Sequence, residues 1–97
     1  MFRLLTISLD TDTVTDSGQT FSIDHAVAFT VINHGITDCK ISYENGANAM
    51  IIPKGMQRDF GGYSGFVYKG RMKVEFVNDS TGLVEITKNI VDTNEVN

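Results

Sequence analysis

Ninety-seven residues are enough for one domain, and 41% hydrophobic with 21% charged residues is the make-up of a folded globule, not of a disordered chain. No apolar run approaches the roughly 18 residues that a membrane-spanning helix needs. The single cysteine, Cys39, excludes an internal disulfide, and the net charge of −4 with only a short basic stretch argues against nucleic acid as a partner.

Met1 to Leu9 has one charge and no small-residue cleavage site, so it reads as a first strand, not as a signal peptide. Leu5, Ile7 and Leu9 form one row with Arg3 at its end, while Phe2, Leu4, Thr6 and Ser8 form the other. Asp10 to Ser17 is rich in Asp and Thr and reads as a solvated loop. Its carboxylates invite comparison with a calcium loop. However, Val14 falls where an oxygen ligand is required, and no glutamate follows at the proper distance.

Gln19 to Ile23 predicts a short strand with Phe21 and Ile23 inward. Ala26 to Asn33 alternates Val27, Phe29 and Val31 with Ala28, Thr30 and Ile32, the clearest strand pattern in the chain. Residues 38 to 43 place Cys39, Ile41 and Tyr43 in one row, which makes Cys39 a small buried hydrophobe. Glu44-Asn45-Gly46-Ala47 predicts a tight hairpin, because Asn-Gly supplies two positive-φ residues cheaply. Asn48 to Ile52 follows, then the turn Pro53-Lys54-Gly55, then a strand from Met56 to Phe60.

Gly61 to Gly65 is the most flexible composition inside the domain, and it carries Tyr63. Phe66 to Lys69 is expected to pair with Arg71 to Val77 across Lys69-Gly70, with Phe60 and Phe66 in the core. Met72, Val74 and Phe76 point one way while Arg71, Lys73 and Glu75 point the other, so one face of that strand meets water. Leu83 to Val91 is the last strand. Lys88 interrupts its inward row after Val84 and Ile86, which predicts a bulge or a strand leaving the core near Thr87. Asp92 to Asn97 reads as a flexible polar tail after a domain spanning 1–91.

Seven to nine short antiparallel strands with no sustained helical period predict an all-β domain. The expected form is a two-sheet β-sandwich of Ig-like or jelly-roll type. Chemistry-bearing patterns are missing from the sequence. His25, His34 and Cys39 do not reach a metal-ligand spacing, and no Gly-x-Ser-x-Gly elbow, phosphate loop or catalytic carboxylate pair appears. The expectation is therefore a protein that is not an enzyme and takes no cofactor or metal.

The candidate contact residues follow from what lies off the inward rows. Ile32, Met50, Ile52 and Val67 are apolar residues available for an intersubunit face. Lys54, Arg58, Arg71 and Lys73 belong to a stretch, residues 54 to 73, that sums to +4 and leaves −8 on the remainder of the chain. Such asymmetry favours contacts between copies, or else it protects sheet edges. Tyr63 and Tyr68 offer amphipathic rings on a glycine-rich segment, suited to a protein neighbour or a surface glycan.

One order of features stands out: Val31-Ile32-Asn33-His34-Gly35, a strand, Ile51-Ile52-Pro53-Lys54-Gly55, Phe60-Gly61-Gly62, Tyr68-Lys69-Gly70, Val74-Glu75-Phe76 and Gly82-Leu83-Val84-Glu85-Ile86. Over residues 27 to 90 this resembles the small β-sandwich proteins of tailed-bacteriophage virions, those that decorate heads or build head fibres and tails. The resemblance implies a virion structural protein, assembled in the host cytoplasm. It would act in many copies by contact with other virion proteins or with copies of itself, and no active-site residue is carried over. A carbohydrate- or host-surface-binding module using the Tyr63 segment is the alternative.

Overall fold

The computed structural model describes residues 2–62 and 65–96, with residues 2–6 and 92–96 described by backbone alone. Among the described residues there are eight strands and no helix. They are β1 (Phe2–Asp16), β2 (Thr20–Ser22), β3 (Ala26–Asn33), β4 (Cys39–Tyr43), β5 (Met50–Ile52), β6 (Gln57–Phe60), β7 (Arg71–Phe76) and β8 (Thr81–Val96). They form two four-stranded sheets, ordered β1-β8-β3-β6 and β2-β7-β4-β5, and every pairing is antiparallel.

That order resolves the choice the sequence leaves open. In an Ig-like sandwich the first two strands lie side by side in one sheet. Here β1 and β2 fall in different sheets, and the pairs nest: first with last, second with seventh, third with sixth, fourth with fifth. Nested pairing folded over into two sheets is the jelly roll. No helix among the described residues is long and apolar enough to cross a membrane.

The core is the pair of inward rows. Phe21 and Ile23 from the β2 region, Phe29 and Val31 from β3, Cys39 and Ile41 from β4, Met72, Val74 and Phe76 from β7, and Val84 and Ile86 from β8 are all buried. Phe29 is the aromatic hub. Phe60 stacks on it at 4.4 Å, and Tyr68 and Phe21 meet it edge-on at 5.0 and 6.4 Å, the geometries that ring quadrupoles favour.

Several local expectations are corrected by tertiary pairing. Asp10 to Asp16 is not a loop: β1 runs through it, with Val14 buried opposite Val84. Where a polar tail is expected from Asp92, β8 continues in register with β1 to Val96; Asn97 lies outside the described residues. Residues 44 to 49 form a longer loop than an Asn-Gly hairpin, closed by the Tyr43 amide donating to the Ala47 carbonyl, with Gly46 and Asn48 at positive φ. Phe66 to Lys69 is not a strand paired to β7; Tyr68 instead exchanges backbone hydrogen bonds with His25 and Ala26. Phe66 is 71% exposed, so it is not core. The irregularity expected at Lys88 lies in the partner strand: the register shifts between Ala26 and Ala28, which makes Val27 the extra residue and puts Ala26, not Val27, in the buried row.

Candidate functional site

The largest departure from a compact sandwich is the ribbon formed by β1 and β8. β3 pairs with β8 only from Asn33↔Val84 to Ala26↔Ile90, and the last backbone contact there is the Val91 amide donating to His25. β1 follows β8 further, to Phe2↔Val96. A two-stranded ribbon therefore projects beyond the third strand. The 15 residues of β1, at roughly 3.3 Å each, reach about 50 Å, close to the 54 Å long axis of a molecule only 23 by 19 Å across.

The ribbon's root is held by a part-buried ion cluster around one buried lysine. Lys88, the residue that breaks the apolar row, stays in that row and is only 5% exposed. Its Nζ donates to Asp12 Oδ2 at 2.6 Å and to the Ser22 carbonyl at 2.8 Å, with Asp10 Oδ2 at 3.5 Å. This contact explains why an aspartate-rich segment forms a strand: β1 brings Asp10 and Asp12 to the face where Lys88 needs counter-charge. On the opposite face, Ile7 is 60% and Leu9 83% exposed. Two apolar side chains thus stand in water beside an open strand edge, since β8 is the only strand that pairs with β1 among the described residues.

The edge is unusual in length. The other sheet edges are β6, with four residues that include Arg58 and Asp59, and β2 and β5, with three each. Short, charged strands are how proteins keep edges from pairing with strangers. In β1 such devices sit at the two ends, Arg3 at the tip and Asp10, Asp12, Asp16 and a register shift between Val14 and Asp16 in the proximal half. Leu4 to Leu9 contains no charge, proline or glycine.

The residues singled out from the sequence do not assemble into one site. Ile52 is buried at 1% and belongs to the core, because the alternation in β5 turns Ile51 outward instead. Met50 packs against the core from its margin. Ile32 is half-buried on β3 between Glu85 and Gln57. Val67 is 48% exposed beside Phe66 and the bulged Val27. Tyr68 is committed to the fold, with its ring against Phe29 and its hydroxyl donating to the Gly61 carbonyl at 2.6 Å. Tyr63 lies outside the described residues.

The basic stretch is likewise dispersed. Arg71 and Lys73 lie on β7, Arg58 on the edge strand β6, and Lys54 in a turn where its amide donates to Asp38. Acids accompany two of them: Glu44 lies 3.5 Å from Arg71, and Glu75 lies 3.5 Å from Lys73. These are half-exposed surface pairs of small energetic value.

Cys39 is fully buried, and burial pushes its thiol up to about 11, with Asp38 adding to the rise and the Ile52 backbone hydrogen bond opposing it. His34 stands 3.7 Å from Glu85 on the surface. Among the described residues no three His, Cys, Asp or Glu side chains cluster as a metal site would require. The concavity beside Asp24, His25, Val67, Tyr68 and Lys69 measures about 340 Å³ and opens to solvent.

One sequence motif does acquire a structural meaning. Asn33, the first residue of Asn-His-Gly, is fully buried. Its Nδ2 donates to the Thr37 and Ile52 carbonyls at 2.9 and 3.1 Å, and its Oδ1 accepts from the Gly35 amide at 3.1 Å. Its own backbone amide and carbonyl bind Met56 and Gly55, closing the Pro53-Lys54-Gly55 turn. Asn33-His34-Gly35 and Pro53-Lys54-Gly55 are thus two parts of one clamp.

No family model matches this chain, and no curated protein matches it. Among solved structures it is similar to the SPBc2 prophage-derived protein YomS, with 16% sequence identity and a TM-score of 0.43 over 95% of this chain and 96% of that one.

Proposed function

We propose that this protein is a non-enzymatic structural component of a bacteriophage particle, acting in multiple copies through protein–protein contacts. The observation that supports multi-copy assembly is the projecting β1–β8 ribbon, with Ile7 and Leu9 exposed beside an open edge. A two-stranded ribbon is marginally stable alone in water, so partner contact is the natural means of ordering it. The phage setting rests on the order of turn motifs from Asn33 to Gly82, and fold alone does not specify a role. Decoration, head-fibre and tail positions are all served by such a domain.

The test is quantitative mass spectrometry of density-purified particles from the strain whose genome encodes the chain. A fixed multi-copy ratio to the major shell protein is expected. Absence from particles, with the protein accumulating free in the lysate, would refute the reading.

A further inference from the structure

We infer that the occupant of the β1 edge is a second copy of this chain, added antiparallel across a two-fold axis that passes beside Ile7. The inference rests on the multi-copy reading above and names its interface.

Three observations lead to it. The edge strand presents a long row of backbone donors and acceptors, and another strand is the partner that satisfies them. The row Leu5-Ile7-Leu9 is symmetric about its middle member. In an antiparallel pairing centred there, position 7 lies opposite position 7 and position 9 opposite position 5 of the second copy, so the exposed Ile7 side chains meet at the axis. Finally, the same register separates like charges. Asp10 falls opposite Leu4 and Asp12 opposite Phe2 in the second copy, whereas a parallel in-register pairing would set Asp10 on Asp10 and Asp12 on Asp12. Like charges directly opposed across strands are destabilising.

A perpendicular two-fold keeps the corresponding faces of both copies on the same side, so the two β1-β8-β3-β6 sheets join into one continuous sheet through β1. The contact is isologous and closed, and it removes the long edge from both molecules at once. The pairing then stops at Asp12, opposite the first residue of the second copy's β1, short of the register shift near Asp16.

Cysteine cross-linking tests this register directly. In an antiparallel pair, directly opposed Cα atoms lie about 4.5–5.5 Å apart, within the roughly 4.4–6.8 Å a disulfide spans. Ile7→Cys is therefore expected to give a covalent dimer under mild oxidation. Leu9→Cys, whose copies lie four residues apart along the joined strands at roughly 13 Å, is expected to stay uncoupled. Wild type, with Cys39 buried, is the blank.

Light scattering of the same proteins should show a dimer for wild type and a monomer for Ile7→Glu, which sets two carboxylates against each other at the axis. Circular dichroism checks that each variant remains folded, as expected for substitutions at exposed positions. A multimer that persists in Ile7→Glu, with no cross-link through Ile7→Cys, overturns this interface while leaving the multi-copy function standing. Cross-linking through Leu9→Cys but not Ile7→Cys overturns the register. A folded wild-type monomer at every concentration, with no Ile7→Cys cross-link, overturns the two-fold pairing, and particle mass spectrometry then decides the functional reading by itself.

Discussion

Replacing Asp12 and Lys88 in turn separates the attraction within the ribbon's root from the cost of burying it. Lys88 is 5% exposed, while Asp12 and Asp10 are 40% and 58% exposed. Asp12→Ala strands the ammonium with the Ser22 carbonyl and the longer Asp10 contact. Removing one partner of a buried pair costs about 3–5 kcal/mol. Because Asp12 is itself 40% exposed and Asp10 and Ser22 remain, at most the lower end, about 3 kcal/mol, applies.

Lys88→Met behaves differently. It keeps the unbranched stem, abolishes the desolvated charge and releases both carboxylates to water, at the expense of one donor to the Ser22 carbonyl worth about 1 kcal/mol. Its net effect is expected within about 1 kcal/mol of wild type. In a domain of this size about 1 kcal/mol moves Tm by roughly 4–8 °C. Asp12→Ala should therefore lower Tm by up to roughly 12–24 °C and Lys88→Met by less than about 8 °C, and the double variant should regain most of the loss. Calorimetry at one fixed protein concentration, so that self-association contributes equally, reads all four proteins. Equal losses in the two single variants would show that attraction outweighs desolvation. An unchanged Asp12→Ala would show that the ammonium reaches water.

Three further outcomes follow from the packing. Asn33→Ala removes three hydrogen bonds at a fully buried site and should cost about 3 kcal/mol, read as a lower urea midpoint at unchanged m. Gly82→Ala drives a Cβ into the buried Phe76 ring, so overpacking of about 1–3 kcal/mol is expected, partly relieved by Phe76→Leu in the same chain. The Cys39 thiol, raised from 9.0 to about 11 by burial, should resist aromatic disulfide reagents at pH 8 until urea unfolds the chain. The unfolded thiol loses its proton first, so its contribution to stability is complete below about pH 9 and is lost as pH rises towards 11. A Cys39→Ala chain should lack that part of the decline.

How much of this was legible in the sequence depended on whether neighbours in the chain were neighbours in space. The inward rows of β2, β4 and β7 and the turn at Pro53 could be read directly, because period-two alternation and a positive-φ glycine are local signals. Row membership failed at single positions. Val27 yielded its place to Ala26 at a bulge, and Ile52 went inward where Ile51 was free to go out. A one-residue change of phase reverses every side chain, and phase is set by the pairing partner. The alternation of Thr11, Thr13 and Thr15 with aspartates, echoed by Thr87 and Thr93 in β8, was a signal of extended chain that the aspartates concealed.

By itself, then, the sequence determined an all-β chain, free of disulfides, whose one-sided strands had to close two sheets on a common core. Tertiary structure decided the jelly-roll order, because long-range pairing leaves no mark in the residues between the strands. It also decided that Asp10 to Asp16 and Asp92 to Val96 are strand, because each borrows its partner from the far end of the chain. The ribbon exists only through that pairing: β1 alone reads as a short strand and a loop, and β8 alone as a strand and a tail. Together they satisfy each other's backbones, bring Asp12 to Lys88, and leave Ile7 and Leu9 facing water at an edge where another strand can dock.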